Sequence, residues 1–461
     1  MIRNDSLIGE RVDLGGRQIG IPTMSITTVK TRQFNAGGTI LMGVLALGIV
    51  GMVALASEDS FGYSGGGLLG DSNGNVSCPL IYSWDGRGYR LDSGTFGGAI
   101  TPALARTDLD NLLHVRPVHD TLRFLMTDEA DETEHVDAFH VLAVDHPVGT
   151  EAVPDALANG TFHLVGQPVA PITARDQLGR DALQQVRAAD QYAWESRLDG
   201  RDPENPAHLR DGLEMTFRRP AGMDQAELVV EGQNTAWAAY LMGELVRASG
   251  RATRAWYDTS TSAAASRPMA KAQHEEGFLQ ASIWDGAAWR PAGEMWEAGP
   301  EVAKRQTLRL DLRGTPVGIV RVRLESAPAM WNIDQVVLAA VTGAPAIARI
   351  LSPVTASIPT VRDALAPLLA KDGRYLDLER GDTVRIAFTD AAPPPARGMV
   401  RSYLAQTSGW YRVHSQDDAA PDLATLGEMA SHRHGAARVA VRRLNERLAA
   451  MTREAGRANL R

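Results

Sequence analysis

The chain has 461 residues, room for two to four domains, and 44% of them are hydrophobic, enough for ordinary packed cores. Its 47 Lys and Arg are outnumbered by 55 Asp and Glu, a net charge of -8, which excludes a basic phosphate-binding face and with it a nucleic-acid partner. The single cysteine, Cys78, excludes an intrachain disulfide, and the sequence has no Cys/His framework for structural zinc.

Residues 1–35 read as a cytoplasmic segment, and the first predicted element follows them. Residues 36–56, AGGTILMGVLALGIVGMVALA, carry no charge over a length that crosses a hydrocarbon core of roughly 30 Å as a helix. Lys30 and Arg32 precede this run and Glu58, Asp59 and Asp71 follow it. The positive-inside rule therefore predicts a single-pass protein of the inner membrane with a cytoplasmic N-terminus and a periplasmic bulk. The rival is a cleaved leader that starts at Met24 and ends on the small-x-small pattern Ala54-Leu55-Ala56. Gly43, Ala46, Gly51 and Ala54 fall on one side of the helix, which lets a partner helix approach closely. The run has no His and no charged residue, so it offers no pigment or metal ligand. Residues 57–77 form a Gly/Ser-rich tether, whose Gly65-x-Gly67-x-x-Gly70 spacing lacks the preceding strand that a dinucleotide fingerprint requires.

YSWDGRGYR at 82–90 and SIWDGAAWR at 282–290 each place Asp-Gly between aromatic residues, the signature of a tight hairpin. In the first, Trp84 and Tyr89 bracket Asp85-Gly86; in the second, Trp284 and Trp289 bracket Asp285-Gly286. Cross-strand aromatic packing is expected to clamp both turns, with the two aspartates bonding to nearby backbone rather than to a substrate.

Period-two alternation predicts strands over Thr121–Thr127, Val136–Asp145, 213–219, 226–232, 307–314, 319–326 and 332–340. The first two are joined by an acidic run, Asp128, Glu129, Asp131, Glu132 and Glu134, whose irregular spacing reads as a solvated loop, with calcium collection as the alternative. His114, His119, His135, His140 and His146 crowd the same region. His135 and His140 point to opposite faces of a strand unless a bulge intervenes, so no shared metal is expected, and His140 reads as a core residue. Arg380-Gly381-Asp382 reads as a turn. Helices are predicted over 174–192, 237–248, 262–276 and 435–456; the last carries Val441, Leu444, Leu448 and Met451 on one stripe, with arginines around it. The expected fold is mainly β. One N-terminal transmembrane helix is followed by a β domain at 78–200, a jelly-roll-like sandwich at 205–345 and a third β domain at 346–461 with a C-terminal helix.

The opening CPLIYSWDGRGYRLDSGTFGGAI, followed by NLLHVRPVHDTLRFLMTDEADETEHVDAFHVLAVDHP and SAPAMWNIDQVVL, resembles an uncharacterised family of bacterial envelope proteins over roughly residues 78–415. WNIDQVVL is similar to the closing strand of galactose-binding-like jelly rolls. Neither resemblance brings a catalytic motif, and the sequence has no G-x-S-x-G, H-E-x-x-H, Walker A or EF-hand pattern. The expectation is a non-catalytic accessory subunit, without cofactor or metal, that stabilises a larger membrane complex. Its partners would be other membrane subunits, met through the transmembrane helix and the periplasmic domains, together with the lipid bilayer. A loose resemblance names a photosynthetic reaction-centre and antenna complex as one candidate assembly. The alternatives are a glycan-binding module that stacks sugars on Trp237, Trp256, Trp289, Trp296, Trp331 or Trp410, and an unrecognised hydrolase that uses acidic residues.

Overall fold

A computed structural model describes short strands within residues 2–22, and residues 78–458 except 158, 196–200, 220–222, 236, 239–246, 254–272, 297, 344–345, 360 and 415–418. The expected membrane helix at 36–56, with Gly43, Ala46, Gly51 and Ala54, and the tether at 57–77 lie outside these residues. Among the described residues no helix is long and apolar enough to cross a membrane. The chain divides into two compact units, Met1–Ile40 and Leu41–Arg461. The smaller holds a three-stranded antiparallel sheet of β1 (Ile2–Arg3), β2 (Ser6–Arg11) and β3 (Arg17–Pro22).

The larger unit is mainly β, built from two pairs of antiparallel sheets. In the first pair one sheet runs in the order β21 (Pro353–Ser357), β23 (Thr383–Thr389), β7 (Thr121–Thr127), β4 (Leu80–Trp84), β5 (Tyr89–Gly94). The other runs β20 (Ile347–Leu351), β8 (Glu132–Pro147), β24 (Met399–Val413), β6 (Arg106–Asn111), with β22 (Leu376–Glu379) also on β8. Phe124 and Phe388 of the one meet Phe139 of the other edge-to-face, with ring centroids 5.1 to 5.6 Å apart, in a sealed aromatic core. In the second pair one sheet runs β17 (Lys304–Asp311), β14 (Gln225–Asn234), β19 (Trp331–Val341), β10 (Phe162–Val169), β9 (Thr150–Pro154), with β12 (Trp194–Glu195) on β19. Its partner sheet runs β11 (Thr173–Asp176), β13 (Asp211–Arg218), β18 (Ile319–Ser326), β15 (Leu279–Trp284), β16 (Trp289–Met295).

Each strand pairing of the first sandwich has a counterpart in the second. The hairpin β4–β5 and its neighbour β7 match β15–β16 and β18. The series β7–β23–β21 matches β18–β13–β11. The pair β6–β24 matches β17–β14, and β8 takes β24, β20 and β22 as β19 takes β14, β10 and β12. The order along the chain differs. The second sandwich is built from consecutive strands, whereas the first is assembled from β4–β8 and β20–β24, its two halves lying on either side of the second. The segments expected as separate β domains at 78–200 and 346–461 therefore interleave in shared sheets. Alternation reveals which face of a strand is buried, not which distant strand lies beside it.

The correspondence extends to a bulge. On β8 Asp137 is an extra residue between Val136, opposite Gly409, and Ala138, opposite Ser408; on β19 Asp334 is extra between Ile333, opposite Gly232, and Gln335, opposite Glu231. Asp137 accepts hydrogen bonds from the amides of Asp372 (3.0 Å) and Gly373 (2.8 Å), and Asp334 from that of Gln191 (3.0 Å). The bulge also flips the side-chain parity of β8. Val136 faces the aromatic core, and beyond the bulge Phe139 and Val141 do so, while Leu142 and Val144 join Leu109 and Leu404 against Ala152, Phe162 and Leu164 of the second sandwich. His140, grouped with the apolar face by simple alternation, is only half-buried and bonds the Leu369 carbonyl.

Between the sandwiches Lys304 lies 3.3 Å from Asp108 and 3.0 Å from Asp110, and Arg106 lies 2.7 Å from Asp108; all four are buried. The region expected as a helix at 174–192 holds β11, a turn at Gly179 (φ 75) whose amides Leu178 and Arg180 bond Asp176, and a four-residue helix α1 (Leu183–Val186). The predicted helices at 237–248 and 262–276 lie mostly outside the described residues. At the C-terminus α2 (Leu423–Ser431) is capped by Asp422, which accepts from the Thr425 amide at 3.0 Å, and leads into α3 (Gly435–Ala458). Two arginines of α3 expected in solvent are instead paired, Arg438 with Glu204 and Arg442 with Glu428, whereas Arg447 is exposed. With Asn445 bonding the Arg201 carbonyl and His434 pairing with Glu276, α3 is fastened to the second sandwich.

Candidate functional site

The acidic run between β7 and β8 is only partly the solvated loop expected: Glu129 and Asp131 meet solvent, whereas Asp128, Glu132 and Glu134 turn inward. Ahead of the bulge Glu132 and Glu134 share the inward parity of Val136, and Asp128 turns in from the loop; the three side chains are at most 1% exposed. Backbone bonds hold this geometry: the Asp128 amide donates to the Asp382 carbonyl (3.3 Å), and the Gly381 amide donates to the Asp128 carbonyl (2.8 Å). Arg380-Gly381-Asp382 is the turn between β22 and β23, with Gly381 at φ 91. One oxygen from each of Asp128, Glu132 and Glu134 lies within 4.8 Å of the others. Glu132 accepts a hydrogen bond from the Cys78 amide (2.7 Å) and Asp128 Oδ1 one from the Ala130 amide (3.0 Å). Among the described residues Asp128 Oδ2 and both oxygens of Glu134 accept none from outside the cluster, and the Glu134 carboxyl faces that of Glu132. Burial, and then the charge of Glu132, push Asp128 up to about 8 and hold Glu134 well above the ordinary carboxylate range. The signal for this cluster was present in the sequence, since Glu132 and Glu134 are in phase with Val136.

The two Trp-Asp-Gly stretches form matching hairpins. Trp84 opposes Tyr89 with ring centroids 5.1 Å apart, and Trp284 opposes Trp289 at 5.5 Å, both edge-on. Asp85 accepts from the amides of Arg87 (2.7 Å) and Gly88 (2.8 Å), and Asp285 from those of Ala287 and Ala288 (both 2.8 Å). Gly86 and Gly286 take φ of 96° and 105°, which a side chain resists. These backbone bonds hold both aspartates below their ordinary pKa, so neither is set up as a general base at its turn.

The second hairpin carries more. On the outer face of its sheet the Arg321 guanidinium lies 5.2 Å from the Trp284 ring and 5.3 Å from that of Trp289, and Arg323 lies 4.2 Å from Trp289. Glu214 of β13 pairs with Arg323 at 2.5 Å and Arg321 at 3.3 Å. Of the other tryptophans, Trp237 and Trp331 are buried, Trp296 stacks on Phe278 at 5.1 Å, Trp410 stacks on His135 at 3.9 Å, and Trp256 lies outside the described residues. The bulge puts His135 and His140 on one face, yet His135 engages Asp377 (2.7 Å) and His140 the Leu369 carbonyl. A surface cavity of about 470 Å³ is lined by Arg116, Pro117, Pro395, Arg401 and Tyr403, and the Arg401 guanidinium is held by Asp145 and Asp390.

The strongest histidine perturbation lies elsewhere. His163 of β10 bonds Asp155 at 3.2 Å and the buried Glu227 at 2.8 Å, and Arg309 faces the same group. The bond to Asp155, then that to Glu227, push His163 up to about 9. A raised histidine stabilises the fold fully below its unfolded value near 6.5, and that contribution disappears as pH rises through about 9. Solvent screening limits it to roughly 2 kcal/mol. The stability difference between the wild-type protein and His163→Gln should thus shrink from pH 6.5 to pH 10, and an NMR titration of the His163 ring should give a midpoint near 9. A midpoint at the ordinary histidine value would contradict the Asp155–His163–Glu227 arrangement.

No family model matches the chain, and no curated protein is similar to it. Among solved structures it is similar to BpGH86A, a β-porphyranase of glycoside hydrolase family 86 from the human gut bacterium Bacteroides plebeius, at 7% identity and a TM-score of 0.18. The match covers 57% of this chain and 39% of that one, and a likeness this slight carries no argument about activity.

Proposed function

We propose that this chain is a non-catalytic scaffold, a membrane-anchored accessory subunit whose periplasmic body offers stiff contact faces to a larger membrane complex. The observation that carries this reading is the outer face of the sheet holding β13, β15, β16 and β18, where Trp284, Trp289, Arg321, Arg323 and Glu214 form a pre-ordered ladder with 28 to 40% of the charged side chains exposed. Tryptophan and arginine are the residues that dominate protein contact energies, and side chains already locked by mutual stacking lose little entropy when a partner covers them. The interleaved strands support the same reading, because a body whose ends are tied through its middle resists shear between its parts. Membrane anchoring rests on the charge-free run at 36–56, and a photosynthetic reaction-centre and antenna complex, as one candidate assembly, rests on sequence likeness alone.

Purification from native membranes in mild detergent tests the reading. The chain should migrate with a defined complex, and the double variant Trp289→Ala, Arg321→Ala should remain folded but leave the complex at lower detergent or salt. Recovery as a solitary monomer that binds polysaccharide would overturn it.

A further inference from the structure

We propose that Asp128, Glu132 and Glu134 form a divalent-cation site of calcium chemistry, fastening the β7–β8 loop inside the first sandwich. This goes beyond the scaffold reading and does not depend on it. Three converging buried carboxylates are costly in a β core, because each charge loses its hydration and repels the other two. Among the described residues neither Asp128 nor Glu134 is ion-paired with Lys, Arg or His, and Glu134, fully enclosed, meets no donor from outside the cluster, only the Glu132 carboxyl.

The second sandwich shows that the topology does not require this arrangement. Counting from the matched bulges, the position of Glu134, opposite Tyr411, corresponds to Trp331, opposite Asn234. Counting from the matched pairs Thr127–Thr383 and Glu325–Gly212, the position of Asp128 corresponds to Ser326. The equivalent end of the second sandwich is thus closed by an indole, 2% exposed, whose Nε1 donates to the Gly277 carbonyl at 3.1 Å, and by a hydroxyl that bonds the Ala327 carbonyl. One copy of the fold is plugged by apolar packing and the other by acids. A bound cation supplies the cohesion that the indole supplies in its counterpart.

The donor set selects the metal. Oxygen-only ligation with no imidazole or thiolate favours calcium or magnesium over zinc. Oxygens within 4.8 Å of one another span a cation that takes ligands at roughly 2.3–2.6 Å, and bidentate carboxylates provide the high coordination number that calcium accepts and magnesium does not.

The test uses the full-length protein, stripped with a chelator and titrated with CaCl2 or MgCl2, with calorimetry and thermal unfolding as readouts. Terbium luminescence, sensitised by Tyr411 opposite Glu134, provides a direct probe of occupancy. Calcium should raise the unfolding midpoint, magnesium at equal concentration should do so less, and Glu134→Gln should weaken calcium and terbium binding at least tenfold. Asp128→Asn guards against misfolding of the first variant and should weaken binding in the same direction, while Glu129→Gln, at an exposed neighbour, should leave it unchanged. If calcium shifts neither readout and metal-free Glu134→Gln is as stable as the parent or more so, the acids hold protons rather than a metal and the proposal is wrong.

Discussion

A chain ended after Val341 is expected to lose the first sandwich entirely while the second stays folded. Residues 347–413 provide β20 to β24, and the 15-residue β24 lies between β8 and β6, so its removal leaves both without their main ladder. Phe388 leaves with β23, exposing Phe124 and Phe139, and the three strands β5, β4 and β7 that stay paired, with β6 and β8 loose, cannot recover that burial. The second sandwich keeps every pairing, because β9 to β19 all lie within 150–341. It forfeits the cover of α3, the apolar contact of Ala152, Phe162 and Leu164 with the first sandwich and the acidic partners of Lys304, so its melting temperature should fall by several degrees or more without loss of cooperativity. Limited proteolysis with mass mapping should recover a protected core that starts near residue 148 and ends near 341, with 78–147 digested. A protected fragment covering 78–147 would refute the interleaved topology.

Gly409→Ala should be among the most damaging single substitutions in the first sandwich. A Cβ at that position would collide with the His135 carbonyl oxygen and lie 2.7 Å from the Phe96 ring. The carbonyl belongs to the ladder backbone and Phe96 is fully buried, so neither can step aside cheaply. A destabilisation of about 3 kcal/mol or more is expected, read as a lower denaturant midpoint. The matched Gly232→Ala, whose Cβ would lie 2.8 Å from the Asn332 carbonyl oxygen, should be damaging for the same reason but less so. Parent-like stability for Gly409→Ala would mean that β24 is not bulged against β8 as described.

The β class and the paired hairpins were legible because both are local: alternation lies in consecutive residues, and an Asp-Gly turn between aromatics spans only a few. The domain plan was not legible, since β8 finds its neighbours in strands that begin at Ile347, Leu376 and Met399. A signal was nevertheless present. Pro171-Ile172-Thr173-Ala174, then Arg180-Asp181-Ala182-Leu183, repeats as Pro353-Val354-Thr355-Ala356, then Arg362-Asp363-Ala364-Leu365. These copies open β11 and β21 in equivalent positions, and together with the Trp-Asp-Gly pair they mark a duplicated unit. The acidic run was named with calcium as the alternative to a solvated loop, but the burial of three of its carboxylates was not legible, for a different reason. A run rich in acids suggests water, and only the phase of Glu132 and Glu134 with Val136 shows that two of them face the core.

The exchanged halves also determine when each part of the chain can mature during synthesis. The strands ending at Pro147 must wait for Met399–Val413 to emerge, and at roughly 5 to 20 residues per second that delay lasts tens of seconds. Throughout it the edges of β7 and β8 stand open, a state that invites chaperone capture and makes the nascent protein sensitive to crowding. Meanwhile the centre completes itself and becomes a platform on which the ends close, so the molecule matures from its middle outward.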